Sequence, residues 1–387
     1  MSGIGSENRK IDRNFLFWIG SMSKASLFLI VPVSILFSFG LLMIFNTTAA
    51  QIIDRSLDTN THIILFKQSL YGVLGVIAGA VIFRWGYQHL LRFSAAGLVL
   101  GTILLILLFV PGIGQTVNGA RRWIGLWGFT FQPSECIKIL LPSVYIHWAC
   151  QKKEIPLIPF LKIVMAFSLP LALILLQPDN GTAAIILCTL PVLFLLTRVK
   201  WHYWALPLLV LVGAGGAAAY HMPHVHDRIQ IYLHPELDLK GKGHQPHQAK
   251  IAAGSGGLFG RGIGESLQKL NYLPEARNDY IAAIYAEETG FVGILGIIAL
   301  YMTFSFAGFF VAIRAQDAEG FLLASILTFL ISIQAFLNLG VVSGLLPSKG
   351  MTLPFFSQGG TSLIVNIVAL FILLDIARKS KPELERV

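Results

Sequence analysis

Long apolar runs separated by short polar stretches dominate this chain. The runs recur at about 25–45, 62–83, 93–111, 133–149, 158–176, 181–197, 202–220, 284–312, 321–343 and 361–377. A helix of about 17–25 apolar residues crosses a bilayer core. The pattern therefore predicts an all-α polytopic membrane protein with about ten transmembrane helices. It divides the chain into a polar leader over 1–24, a transmembrane domain over 25–377 and a basic tail over 378–387. The connection between the seventh and eighth runs, 221–283, is the long one.

Charge gives these helices a direction. Lys and Arg in short loops stay on the cytoplasmic side. Arg9, Lys10, Arg13 and Lys24, then Arg84 and Arg92, Lys152 and Lys153, Arg198 and Lys200, Arg314, and Arg378, Lys379 and Lys381 fall on alternate connections. Both termini are therefore expected in the cytoplasm and the 221–283 loop outside. The formal charge of +9 then reflects topology and not nucleic-acid binding. Only 13% of residues are charged and 55% are hydrophobic, against about 25% charged in a soluble domain. Cys136, Cys150 and Cys188 lie in or beside spans and imply no disulfide framework.

The scarce charge collects in a few external blocks rich in Gly and Pro, which are composed for shaped turns. Glu275, Arg277, Asp279, Glu287 and Glu288 crowd into one of them. Asp279 precedes the eighth apolar run, where a carboxylate can cap a helix. It would also face the mouth of an external cavity, with Glu275 and Glu287 near enough to tune its proton affinity. Arg121 and Arg122 stand outside, against the charge bias. Their planar guanidinium groups suit a diphosphate or anionic headgroup, and snorkelling to ordinary lipid explains them equally well. Trp123 and Trp127 read either as interfacial anchors or as a platform for a sugar ring. Glu135 and Lys138, three residues apart, share one helix face, and Lys67 is close enough in the pattern to join them. Asp179 sits in a Gln-Pro-Asp-Asn-Gly turn, which explains it without further function. His221, His224 and His226 lack a metal-site pattern, and the Gly run 254–264, expected to hold short helices, lacks the Gly-Lys-Ser/Thr ending of a nucleotide loop.

Five blocks, NGARRWIG with FQPSE, QPDNGTA, IAAGSGGLFGRGIG, LPEARNDYIAAIYAEETGFVG and LLPSKGMTLPFFSQGGTSL, run in that order from about 118 to 363. Together they resemble the SEDS family, the FtsW/RodA/SpoVE polytopic proteins of bacterial cell-wall synthesis. SLQKLNYLPEA and LLPSKGMTLPF resemble the division-type FtsW branch more than the elongation-type branch, with the sporulation relatives close by. ARND, Ala282 and SQGG depart from the commoner His-Thr-Asp, Phe and Ser-Tyr-Gly-Gly, and none of these changes removes the aspartate.

The resemblance implies a peptidoglycan glycosyltransferase that polymerises lipid II at the outer face of the cytoplasmic membrane, at the division septum, with undecaprenyl diphosphate leaving. It matches the family's catalytic aspartate to Asp279 and its functional tryptophan to Trp123. It also implies dependence on a divalent cation, Mg or Mn, and a complex with a class B penicillin-binding protein, the transpeptidase, among other division proteins. A hydroxyl nucleophile needs a base within hydrogen-bond reach, which is Asp279. The substrate-binding set is then Arg121, Arg122, Trp123, Glu135, Lys138, Glu275 and Lys349. A lipid II flippase and a non-catalytic scaffold are the competing readings. A transporter places its ionisable groups or broken helices near the midplane, whereas the acids here collect at the external edge.

Overall fold

The computed structural model describes residues 24–55, 61–117, 120–126, 128–220, 232, 238, 241, 243–270, 273, 276–347 and 350–380. Ten long helices coincide with the ten apolar runs: α1 (Lys24–Arg55), α2 (Thr61–Trp85), α3 (Tyr87–Leu107), α4 (Pro133–Cys150), α5 (Leu157–Leu176), α6 (Asn180–Leu196), α7 (Trp201–Tyr220), α9 (Ile281–Ile313), α10 (Ala318–Val342) and α11 (Gly360–Lys379). A shorter helix, α8 (His244–Ser255), lies in the long connection. Among the described residues seven helices (α1, α2, α3, α5, α9, α10 and α11) are long and apolar enough to cross a membrane. The chain is a multi-pass membrane protein. Bulky side chains such as Ile77, Phe93, Leu100, Met165 and Phe306 face outward, as they must where the solvent is lipid.

One feature departs from the all-helical expectation. Between α3 and α4 the chain forms a small antiparallel sheet, ordered β1 (Gly114–Val117), β2 (Ala120–Leu126) and β3 (Phe129–Phe131). The Gly and Pro of this block suggested turns alone. The strand signal is short, since β2 has only 7 residues and β3 only 3, and it adjoins apolar runs that mask a two-residue period.

The helices run alternately between a sheet end, where β1–β3, α8 and the start of α11 lie, and an opposite tail end. α11 packs along α2, α3 along α4, and α9 between α1 and α10. Buried Leu29, Leu36, Met43, Leu323, Leu327, Ile372 and Leu373 belong to the core they enclose. At the tail end Asp375 is fully buried. It accepts from Tyr87 N at 2.9 Å, Arg378 Nη2 at 2.6 Å and Lys379 Nζ at 3.0 Å, tying α11 to the start of α3.

Candidate active site

Consecutive strand residues point to opposite faces, and this separates the two arginines that the sequence places together. Arg121 on β2 is exposed, its Nε donating to Thr116 Oγ1 at 3.3 Å. Arg122 turns inward. Its Nε donates to Gln177 O at 3.1 Å, its Nη2 to Pro178 O, and its Nη1 lies 3.9 Å from Asp179 Oδ1. Of the two arginines expected to suit a diphosphate or anionic headgroup, Arg121 is exposed, while Arg122 is engaged by the 177–179 turn. Trp123 is half-buried, with the Arg122 guanidinium 5.9 Å from its ring centre. Lys67 donates to Gly128 O at 3.0 Å and does not join the Glu135–Lys138 pair.

Asp179 does more than form a turn. It is the N-cap of α6, with Oδ1 accepting from Thr182 N at 3.4 Å. Its Oδ2 accepts from Gln132 Nε2 at 2.9 Å and Ser134 Oγ at 2.8 Å, the residues that start α4. Only 2% of it is exposed. One carboxylate thus joins β2, α4 and α6.

Beneath it, Lys138 Nζ donates to Glu135 Oε2 and to Gln334 Oε1, each at 2.8 Å. A buried ammonium needs both its charge and its donors satisfied, and α10 supplies the second partner. Gln334 passes the connection on, with Nε2 donating to Thr352 O at 2.9 Å. Four residues along the same face of α10, Asn338 Nδ2 donates to Asp279 O at 2.9 Å and Met351 O at 2.6 Å. Asn338 Oδ1 is buried without a hydrogen-bond partner among the described residues.

Asp279 lies half-buried in the turn 276–280. The N-cap position of α9 belongs to Tyr280, so the expectation that Asp279 caps this helix is corrected by one residue. A Cβ added to Gly350 would stand 3.1 Å from Asp279 Oδ2, and one added to Gly181 would meet Met351 Cγ at 2.6 Å. Glycine at these two positions lets the 350–353 segment thread between the Asp279 turn and the start of α6. Gln358 N donates to Arg277 O at 3.1 Å, and Gln132 N to Thr361 Oγ1 at 2.9 Å, closing the ring of segments.

The remaining acids have another task. Glu287 accepts from Ser266 Oγ at 2.5 Å and from the backbone N–H groups of Leu267 and Gln268, both at 3.2 Å, with Arg261 Nε 3.7 Å away. It therefore anchors the Gly-rich segment. Glu288 accepts from Asn46 Nδ2 at 2.7 Å and Lys269 Nζ at 3.0 Å. Between these acids and the rest of α9 the helix breaks at Gly290, whose φ of 69° suits glycine alone. Gly256 and Gly260 lie so close to the carbonyls of Ala286 and Glu288 that no side chain fits there. The break frees backbone groups, and the Gly segment satisfies them: Arg261 N and Gly262 N donate to Glu287 O and Glu288 O, each at 3.0 Å.

The sequence profile of the family described as "Cell cycle protein", FTSW_RODA_SPOVE, matches residues 26–382. The chain belongs to this family. It is 36% identical over 367 residues to the probable peptidoglycan glycosyltransferase FtsW of Trichlorobacter lovleyi, covering 92% of this chain and 94% of that one. It is 35% identical over 366 residues to the stage V sporulation protein E of Bacillus subtilis, covering 93% and 98%. Among solved structures it shares its fold with a chain of a peptidoglycan synthase complex described as coordinating polymerization and crosslinking, with a TM-score of 0.73, 24% identity and coverage of 90% and 96%. It also shares it with the rod shape determining protein RodA of Thermus thermophilus, with a TM-score of 0.67, 24% identity and coverage of 92% and 98%.

In this member of the FtsW/RodA/SpoVE family, the structure brings Arg122, Asp179, Glu135, Lys138 and Asp279 into one connected end of the bundle. Glu275, Lys349, Trp127, His221, His224 and His226 lie outside the described residues. Among the described residues no three His, Cys, Asp or Glu side chains gather to hold a metal ion. Sequence reasoning missed Gln132, Ser134, Gln334, Asn338 and Lys269. Gln334 and Asn338 carried a usable signal: two amides four apart inside an apolar helix share one face and turn toward the bundle interior.

Proposed function

We propose that the chain is a peptidoglycan glycosyltransferase that polymerises lipid II, with Asp279 as the general base. One observation carries this reading. Among the described carboxylates of the five blocks, Glu135, Asp179, Glu287 and Glu288 are at most 8% exposed and bound into the fold, while Asp279 keeps solvent access where the segments converge. In the reaction a sugar 4-hydroxyl attacks the anomeric carbon of a second lipid II. The new C–O bond forms, the bond to the diphosphate breaks, and the hydroxyl proton passes to the Asp279 carboxylate. Exposed Arg121 offers charge to the departing diphosphate. Asn338 fixes the Asp279 backbone, and Glu135, Lys138 and Gln334 hold the segment that lies against it.

The glycosyltransferase name of the relatives supports the activity, and the near-equal identity to a sporulation protein leaves division as the proposed setting, at the septum. A divalent cation belongs to the proposal as an ion carried by substrate phosphates with at most one carboxylate, the binding habit of Mg²⁺. A class B penicillin-binding protein is the proposed partner, and the lipid-facing side of α9 is the proposed contact. Small residues allow close helix packing in lipid, and while Gly290 is taken up by the kink and Gly293 meets Thr289, a Cβ at Gly296 would meet nothing within 4 Å. The test is gel analysis of glycan products after reconstituting the chain with its partner, lipid II and Mg²⁺ or Mn²⁺. Chains of sugars are expected. Movement of labelled lipid II across sealed vesicles with no polymer would support the flippase instead.

A further inference from the structure

At the tail end a cleft of about 690 Å³ opens between the α4–α5 turn, the α6–α7 turn and the start of α10. Four cations line it, Lys152, Lys153, Arg198 and Lys200, with a single carboxylate, Glu154, and apolar residues including Ile155, Val199 and Phe321. None of the four cations is ion-paired among the described residues. The carboxylates flanking Ala318 are already engaged: Asp317 accepts from Tyr87 Oη at 2.9 Å and Gly320 N at 2.6 Å, and Glu319 contacts His147 Nδ1 at 2.9 Å. Lys200 Nζ stands 6.0 Å from the ring centre of Tyr203, which also lines the cleft.

Arg198 shows that this charge is kept at a cost. α6 ends in a Schellman motif, with Val199 N donating to Phe194 O and Arg198 N to Leu195 O, each at 3.0 Å. The residue that closes such a motif takes a left-handed conformation, usually as glycine, and here it is Arg198 with φ 55°. A side chain strains the backbone there. Local structure alone would favour glycine, so the guanidinium stands at this cleft in spite of backbone strain.

We infer that this cleft binds a phosphate-bearing anionic headgroup of a membrane lipid, with Arg198 and Lys200 on the phosphate and the apolar floor against the lipid's glycerol and acyl groups. The volume suits a small amphipathic ligand. Guanidinium matches phosphate in a bidentate fork, and basic pockets between transmembrane helices on the cytoplasmic side bind such headgroups. The tail end carries the basic connections, so positive-inside bias places it at that leaflet. α4 separates the cleft from the Asp279 end by ~27 Å, at 1.5 Å per residue. The site therefore does not depend on the proposed reaction.

The experiment is a native mass spectrometry titration of the full chain in neutral detergent with phosphatidylglycerol, phosphatidylcholine or inorganic pyrophosphate. Phosphatidylglycerol should be retained in preference to phosphatidylcholine. Arg198→Gly combined with Lys200→Gln should weaken that retention about twenty-five-fold, at about five-fold per cation near the surface. Arg198→Gly alone should lower lipid retention while keeping or raising the melting temperature, because it relieves the left-handed strain. Arg92→Gln, an exposed cation outside the cleft lining, should change nothing. Unchanged retention in the double variant, or equal loss in the Arg92 variant, would overturn the site. Pyrophosphate that binds alone and excludes the lipid would overturn the lipid as the source of the phosphate. A lower melting temperature for Arg198→Gly would overturn the argument from strain.

Discussion

Asp179 and Asp279 occupy similar Asp-containing turns, yet their surroundings assign them opposite work. Asp179 is buried and accepts from Gln132, Ser134 and Thr182, beside the Arg122 guanidinium. Asp279 is half-buried, held by its backbone through Asn338, and close against Gly350. An asparagine at 279 keeps the shape of the side chain but cannot take a proton. Asp279→Asn should therefore leave the melting temperature within a degree or two of the parent and lower the rate of glycan synthesis by about 10²–10⁴-fold, the usual worth of a general base. An asparagine at 179 brings donor hydrogens to a buried site that now receives them, at about 1–3 kcal/mol for the mismatch. Asp179→Asn should melt earlier and lose activity only as folded protein is lost. Melting curves and rates at matched folded protein separate the two. Full activity in the Asp279 variant would remove that residue from the chemistry. The sequence set Asp279 above Asp179 but read Asp179 as a turn residue alone, because its burial and its partners Gln132 and Ser134 come from the start of α4, more than forty positions away.

The break in α9 explains why so apolar a chain keeps two adjacent glutamates. A long helix interrupted at Gly290 must find partners for the backbone groups freed there, and the Gly-rich 254–264 segment supplies them while Glu287 and Glu288 hold it in place. The acid cluster was legible as a cluster. Its division into one candidate base and two anchors was not, since Asn46 and Lys269 reach Glu288 from α1 and from the loop. Helix existence was legible nearly throughout because bilayer thickness imposes a length on each apolar run, whereas β1–β3 are too short to leave a period. Lys269 and Glu288 are 5% and 1% exposed, so removing one partner strands the other charge at about 3–5 kcal/mol. Glu288→Leu and Lys269→Met should each lower the melting temperature sharply, and the double variant should recover much of the loss. Additive losses across this cycle, measured on solubilised protein, would show that the pair does not anchor the break.

At the scale of the whole molecule, the placement of the reaction depends on which end of the bundle faces outward. The alternating basic connections assign the tail end to the cytoplasm, and the structure gathers there Arg84, Arg92, Lys152, Lys153, Arg198, Lys200, Arg314, Arg378 and Lys379, the turns and helix ends opposite β1–β3. The proposed reaction then requires the sheet end, with Arg121 and Asp279, to face outward, where lipid-linked sugar would be joined to growing glycan. Gln115 on β1 and Gln316 between α9 and α10 are both exposed and lie at opposite ends. In a variant lacking Cys136, Cys150 and Cys188, a cysteine at 115 should react with a membrane-impermeant maleimide in intact cells. A cysteine at 316 should react only after the membrane is opened. The reverse pattern would turn Asp279 toward the cytoplasm and leave an external polymerase without its base, so this labelling tests the proposed reaction as well as the topology.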